Sequence, residues 1–263
     1  MTVRRIWRCH KLPDLMFARL RASSTAAYVL PLLLFTLLNG VPGLFRIENS
    51  ELPWHVRAPE HWAYPLQTVI CALVLVWFRQ HYTFRPWRGL GLAFTLGLVG
   101  IAVWVAPSML RESLIQQGHE PAGWWNWLGL AERREGFDPM IAQESPLWFG
   151  LVVGMRFARM VLVVPFVEEL FWRGFLMRYL MTEDERFERV PFGTHGWKVF
   201  WIVTLAVMLI HNTEDYLGAF VWGALVYFVA VRTKSLGACV FMHAVGNLAL
   251  GLYVMKTQQW GFW

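Results

Sequence analysis

The sequence VEELFWRGFL, residues 167–176, places two adjacent glutamates and one arginine inside one of the most apolar regions of the chain. A charged side chain at the centre of a bilayer costs about 2.5 to 3.5 kcal/mol on insertion scales. Three ionisable groups so close together must therefore form pairs, line a wet cavity or take part in chemistry.

Two faces of a helix separate these charges. Glu169 and Arg173 are four residues apart and lie on the same helix face, whereas Glu168 is rotated away from them by roughly 100°. Arg173 is therefore able to neutralise only one of the two carboxylates. We predict a structural ion pair between Glu169 and Arg173, which leaves Glu168 as a free carboxylate for general-base chemistry.

The composition is that of a membrane protein. The 263 residues are 56% hydrophobic and only 16% charged, which is too apolar for a typical soluble domain. The net charge of +6 comes from basic residues in short loops between apolar segments rather than in one patch. This pattern favours membrane topology and contact with anionic lipid over binding of nucleic acid. The three cysteines are too scattered for a disulfide framework or a thiolate metal site.

Apolar segments recur along the whole chain. They cover about residues 26–45, 62–78, 89–106, 147–180, 197–211, 216–231 and 236–255. The fourth would be about 50 Å long as a helix, too long for one simple span, and Pro165 is expected to kink or divide it. The sequence therefore predicts an all-α bundle of seven transmembrane helices, or eight if Pro165 separates two.

The distribution of basic residues predicts the topology. Residues 1–24 are strongly basic and indicate a cytoplasmic N-terminal segment, and the basic loop 79–88 is expected on the same side. Residues 25–263 are interpreted as a single membrane-embedded domain, in the cell (inner) membrane. The long polar segment 107–146 then falls on the opposite side. Its clustered tryptophans favour a segment on the membrane surface, with an unstructured loop as the alternative.

Other polar or reactive side chains receive structural interpretations. Arg156 and Arg159 are three residues apart in an apolar helix and must share one protein-facing or wet side. Both are interpreted as structural rather than catalytic. Cys71 and Cys239 are expected to be small core residues. The histidines in loops are expected at the surface: His55, His119 and His195.

Three further polar groups, His211, His243 and Asn247, interrupt apolar helices. His243 and Asn247 are four residues apart and share a helix face. Counted from the predicted cytoplasmic helix ends at 1.5 Å per residue, Glu168 and these three groups lie about 12 to 21 Å deep. The similar depths predict that four polar groups from three helices converge on one buried site. The alternative is that each histidine only makes a structural hydrogen bond between helices.

These residues, taken in order, resemble the CPBP family of intramembrane proteases. The pattern is Glu168-Glu169-x-x-x-Arg173, then His211 at the end of an apolar helix, then His243-x-x-x-Asn247. The family includes the CAAX prenyl endoprotease and the bacterial bacteriocin-processing or self-immunity proteins once called Abi. The resemblance covers about residues 147–255, which are the predicted catalytic core. One departure is Val207, where the family usually has phenylalanine.

The resemblance implies a glutamate-dependent endopeptidase that needs no cofactor. In such an enzyme Glu168 and His211 would activate a water molecule, and His243 and Asn247 would stabilise the oxyanion of the tetrahedral intermediate. The partners implied are the lipid bilayer and a membrane-associated peptide or protein substrate. A prenylated C-terminal peptide, a bacteriocin leader and another membrane protein are all open as substrates.

Other functions use the same residues differently. Glu168, His211 and His243 could bind zinc with water as the fourth ligand, although the HExxH motif is absent. A non-catalytic membrane scaffold or immunity protein could keep a polar cavity for binding alone. A transporter could use intramembrane ionisable groups as a proton path, although no two-half repeat is visible in the sequence.

Overall fold

A computed structural model of the chain describes residues 11–47, 49, 51–120, 123–133 and 136–263. Within these residues all regular secondary structure is helical, which confirms the all-α class. Residues 1–10 of the basic N-terminal segment lie outside the described part. The principal helices are α1 (Lys11–Ala22), α2 (Ser24–Phe45), α3 (Glu60–His81), α4 (Leu90–Gln116), α5 (Pro146–Tyr179), α6 (Trp197–Leu209), α7 (Thr213–Thr233) and α8 (Leu236–Thr257).

Six of these helices are long and apolar enough to cross a membrane, judged by length and composition: α2, α3, α4, α5, α7 and α8. They indicate a multi-pass membrane protein. Helix α6 is apolar but has only 13 residues. At 1.5 Å per residue it is about 20 Å long, less than the roughly 30 Å hydrocarbon core. The described residues therefore contain the seven predicted membrane helices only if the short helix α6 is counted with the six long ones.

Of the two alternatives expected at Pro165, a kink or a division, the division is excluded, because Pro146–Tyr179 is one continuous helix of 34 residues. Two turns of wider π-helix lie within it, at Ala158–Val163 and Leu170–Leu176. A proline inside an α-helix removes one N–H and crowds the carbonyl of the preceding turn. Here the π-helical segment ends at Val163, two residues before Pro165, so the wider turn accommodates the proline and the helix continues.

The polar segment predicted to begin at residue 107 begins ten residues later. Helix α4 continues through Pro107 to Gln116. The following segment contains two short 3₁₀ helices, Gly123–Leu128 and Pro139–Ala142. Gly129 has φ of +80°, and a Cβ there would lie 2.9 Å from the Glu214 carbonyl oxygen, so this backbone packs closely over the turn between α6 and α7.

The helices that carry the polar residues pack around a common centre. Helix α5 contacts α2, α3 and α8, and α8 also contacts α4 and α7. Trp222 of α7 fills the space between Gly100 of α4 and Gly246 of α8. A Cβ on Gly100 would come within 2.7 Å of the indole ring and one on Gly246 within 2.3 Å. Small residues at this interface therefore let three helices meet around one aromatic side chain.

The predictions for isolated side chains are confirmed. Cys71 and Cys239 are buried. The three loop histidines are exposed: His55, His119 and His195.

Candidate active site

A cavity of about 300 Å³ lies between α4, α5, α7 and α8. The four residues predicted to converge all line it: Glu168, His211, His243 and Asn247. Charged residues also line it: Arg133, Arg156, Arg159 and Asp215. Its walls include two tryptophans, Trp104 and Trp222, among other apolar side chains. The structure therefore brings the four predicted groups to one polar cavity with partly apolar walls.

Glu168 faces this cavity without a hydrogen-bond or ion-pair partner among the described residues, although its charge attracts Arg159. The residue is half-buried. The adjacent Glu169 is on another helix face and is fully buried. The helix geometry thus separates the two carboxylates, one facing the cavity and one facing the protein interior.

Glu169 and Arg173 form the predicted ion pair. An Nη atom of Arg173 lies 3.4 Å from the Glu169 carboxylate, and both side chains are buried, at 1% and 0% exposure. The other Nη atom donates to the carbonyl oxygen of Gly223 on α7 at 3.1 Å. The pair therefore links α5 to α7 as well as neutralising both charges.

A second bond of Glu169 was not predicted from the sequence. The Nδ1 atom of His243 lies 2.8 Å from Oε1 of Glu169. A carboxylate only accepts hydrogen bonds, so Nδ1 carries the proton and Nε2 is the ring nitrogen left for the cavity. The Trp222 ring packs edge-to-face against the His243 ring, with 5.4 Å between the ring centroids, and helps to hold the imidazole in this orientation.

His211 is oriented in a similar way by the backbone. Its Nδ1 atom lies 2.7 Å from the carbonyl oxygen of Val207, which again requires the proton on Nδ1 and leaves Nε2 free. Trp104 packs edge-to-face on the ring at 5.3 Å. Because the Val207 contact is made by its carbonyl group, the departure from phenylalanine at this position does not remove the acceptor.

Asn247 is held by a carbonyl group that Pro165 leaves unpaired. In the π-turn of α5 the N–H of Val164 bonds to the carbonyl of Arg159. The next residue, Pro165, has no N–H to offer to Met160. The Asn247 side-chain amide donates to the Met160 carbonyl instead, at 2.6 Å. One N–H of this amide is thereby fixed, and the second is left for a ligand in the cavity.

Sequence reasoning did not find Arg133 and Asp215 as neighbours of this site. Arg133 lies in the segment after α4 and Asp215 at the start of α7, and they form an ion pair of 2.7 Å beside the cavity. The Arg133 guanidinium also lies over the Phe262 ring at 3.5 Å. Arg133 lies in a segment without regular structure, 82 positions from Asp215, so no helical periodicity in the sequence related the two.

The zinc alternative requires a cluster of side chains suited to bind a metal ion. No group of three or more His, Cys, Asp or Glu side chains suited to hold a metal ion occurs in the described ranges. The cavity instead combines one carboxylate outside any ion pair and two imidazoles with the amide of Asn247, and a carboxamide is a poor zinc ligand. The effect of a strong chelator on activity distinguishes the glutamate mechanism from the zinc mechanism.

The arrangement has the parts of a hydrolytic site. On one side are an unpaired carboxylate, Glu168, and the Nε2 atom of His211. On the other side α8 presents the Nε2 atom of His243 and an N–H of Asn247. The first pair is suited to accept a proton from water, and the second to donate hydrogen bonds to a developing oxyanion once His243 is protonated.

Comparison with known proteins agrees with this site. Residues 147–249 match the family described as type II CAAX prenyl endopeptidase Rce1-like. The match contains α5 from its second residue, all of α6 and α7, and α8 as far as residue 249, and so includes every polar residue predicted for the site. No curated protein and no solved structure has a significant match to the chain.

Proposed function

We propose that the chain is a glutamate-dependent intramembrane endopeptidase. The premise is that residues 147–249 form a domain of the type II CAAX prenyl endopeptidase Rce1-like family and that the chain is thus a protease. The observation that supports this best is the unpaired Glu168 carboxylate in a cavity shared with His211, His243 and Asn247. A structural role would not require a carboxylate without a partner among apolar helices.

The first step of the proposed reaction is activation of water. Glu168 accepts a proton from a water molecule that also donates a hydrogen bond to Nε2 of His211. The hydroxide so formed attacks the carbonyl carbon of the scissile peptide bond. Because Val207 fixes the proton on Nδ1 of His211, the Nε2 lone pair points to the water without any change of tautomer.

The second step is stabilisation of the tetrahedral intermediate. The N–H of Asn247 that Met160 does not use donates to the oxyanion. Protonated His243 donates from Nε2, and the Glu169 carboxylate behind its Nδ1 stabilises the positive ring. Each such donor is worth about 2.7 to 4 kcal/mol in comparable acyl-transfer sites. Glu168 then returns its proton to the leaving amine, and the peptide bond breaks.

The substrate we propose is a peptide or protein held at the membrane, either prenylated or anchored in another way. The cavity lies among helices of spanning length, which favours a scissile bond in a membrane-associated chain. The basic residues of segments 1–24 and 79–88 support a cytoplasmic N-terminus. The lipid bilayer is the second partner.

Comparison of membrane proteomes tests this function. Membranes from cells that carry the wild-type chain are compared with membranes from cells that carry Glu168→Gln, and newly formed peptide termini are identified by mass spectrometry. We expect a set of cleaved membrane-associated proteins only with the wild-type chain. Identical sets of termini in the two membranes would contradict a protease function for this site.

The Asn247→Ala variant distinguishes an oxyanion donor from a metal ligand. We expect kcat to fall by about 10²- to 10³-fold with little change in KM, since the lost N–H acts mainly in the transition state. Wild-type activity should not respond to strong chelators. Both are measured with purified protein and peptides that reproduce the cleavage sites, with exposed Asn212→Ala as the matched control.

The zinc alternative predicts the opposite pattern. A carboxamide contributes little to a zinc site, so Asn247→Ala would then leave kcat nearly unchanged. Chelation would abolish activity, and added metal would restore it. That pair of results would replace the glutamate mechanism and keep the cavity as the site.

A further inference from the structure

Arg156 lines the same cavity, yet no described residue supplies a counter-ion for it. It is 8% exposed, and its Nε atom is buried without a hydrogen-bond partner in the structure. Its guanidinium instead lies among the rings of Phe137, Trp263 and Tyr64, 5.1 to 5.7 Å from their centroids. These distances are near the outer limit of about 6 Å for cation–π attraction. The rings therefore stabilise the charge only in part.

Arg159 is the second cation on this wall. It is also 8% exposed, and it donates to the amide oxygens of Gln67 and Asn39 at 2.8 and 2.7 Å. Both partners are neutral. Its second Nη atom has no partner among the described residues. Arg159 is thus oriented by hydrogen bonds to neutral groups. Among the described residues, Glu168 supplies the one carboxylate whose charge attracts it, without an ion-pair contact.

The charges around the cavity do not balance. Three arginines and two carboxylates line it. Arg133 and Asp215 neutralise each other in an ion pair of 2.7 Å. Glu168 is the only other acid of the lining, and it belongs to the reaction. With the histidines neutral, the lining has an excess of one positive charge, so a ligand with one negative charge would complete it.

We propose that Arg156 and Arg159 form a carboxylate-binding subsite for the substrate of this enzyme, an inference that rests on the proposed function. A carboxylate has two oxygens that match the parallel N–H groups of a guanidinium, and one anion between two arginines receives hydrogen bonds from both. The aromatic rings around Arg156 hold its plane in position and exclude water, which strengthens the contact.

The position of the subsite along α5 sets its distance from the reacting bond. Arg159 is nine residues and Arg156 twelve residues before Glu168, or about 13 and 18 Å at 1.5 Å per residue. An extended peptide spans at most about 3.3 to 3.6 Å per residue. Because the three side chains line the same cavity, these axial separations are upper limits, and the carboxylate is bound within about five residues of the scissile bond.

Two parts of a substrate carry this chemistry. The carboxylate is either the free C-terminus of a chain that is cut close to its end, or the side chain of an aspartate or glutamate near the cut. Both fit the same pair of guanidinium groups. The experiment therefore has one arm for each source.

The test compares three forms of each peptide that reproduces a cleavage site from the membrane-proteome comparison. The first has its natural acidic groups and a free C-terminus, the second has a C-terminal amide, and the third has Asn or Gln in place of any Asp or Glu. Cleavage of all three is measured with wild-type enzyme, with Arg156→Met and with Arg111→Gln. Arg111 is the matched control, because it pairs with exposed Glu132 and does not line the cavity.

We expect one of the two neutral forms to lose about 10- to 100-fold in kcat/KM with the wild-type enzyme, mostly through KM. This ratio of acid to neutral form should fall to near one in Arg156→Met and stay unchanged in Arg111→Gln. Each ratio is taken within one enzyme preparation, so partial misfolding of a variant cancels.

Two results would overturn the subsite. One is equal cleavage of all three forms by the wild-type enzyme, and the other is an acid preference that persists in Arg156→Met. Failure of the proposed function looks different, because no form of any peptide would then be cleaved by any of the three enzymes.

Discussion

Glu168→Gln is expected to lower kcat by at least about 10²- to 10⁴-fold, the range for loss of a general acid–base group, while the protein folds as before. Glutamine keeps the volume of the side chain but accepts no proton from water. The structure gives the reason for normal folding, since the Glu168 carboxylate makes no hydrogen bond or ion pair with a described residue. The measurements are peptide cleavage and thermal unfolding of purified protein in detergent.

The matched control for this prediction is Glu120→Gln, a change of the same kind at an exposed position outside the cavity. It should retain wild-type rates. Normal rates in Glu168→Gln would refute the catalytic assignment. Loss of rate together with loss of the folded state would instead show that Glu168 has a structural role that the contacts do not reveal.

Much of the site could be predicted from the sequence because it depends on depth and helix rotation. The four-residue spacing of Glu169 and Arg173 fixes their common face, and the adjacent Glu168 must then point elsewhere. The rise per residue gives similar depths in the membrane for Glu168, His211 and Asn247, because the residues of each helix are counted from a cytoplasmic end that the sequence indicates. These two quantities need only residue numbers and the geometry of an α-helix.

The anchoring of Asn247 could not be predicted in this way. It depends on a π-turn before Pro165, where the carbonyl of Met160 is left without a backbone partner. A proline in an apolar segment is compatible with a break, a kink or a wider turn, and local sequence does not decide among them. The sequence therefore left a kink and a divided helix open as alternatives at Pro165. The proline in fact supplies the acceptor that positions Asn247.

The bond between Glu169 and His243 was missed for a different reason. The residues are 74 positions apart and lie on helices whose relative rotation is set by packing around Trp222. Sequence periodicity describes one helix at a time. It therefore suggested a structural role for Glu169 in the ion pair, whereas the structure shows a carboxylate shared between Arg173 and a histidine of the cavity.

This shared carboxylate gives the second large effect, a loss of stability in Glu169→Ala. The change leaves the Arg173 guanidinium, 1% exposed, without its counter-ion. Removal of one partner of a buried ion pair costs about 3 to 5 kcal/mol in free energy of unfolding, whereas replacement of both by apolar residues is often neutral. The double variant Glu169→Leu with Arg173→Leu should therefore regain most of the stability. Thermal unfolding of the single and double variants measures this difference.

The cleavage rate of the double variant, if its stability is regained, then reports on the orientation of His243. Without Glu169, its Nδ1 atom has lost the acceptor at 2.8 Å that fixes the tautomer and stabilises the protonated ring. Loss of the hydrogen-bond partner that orients a metal-bound histidine costs about 10- to 100-fold in activity, and we expect a similar factor for His243. We therefore expect a stable double variant whose kcat stays reduced by this factor while KM changes little. If the double variant instead regained both its stability and its rate, Glu169 would serve only the fold, and the orientation of His243 would have to come from the edge of Trp222.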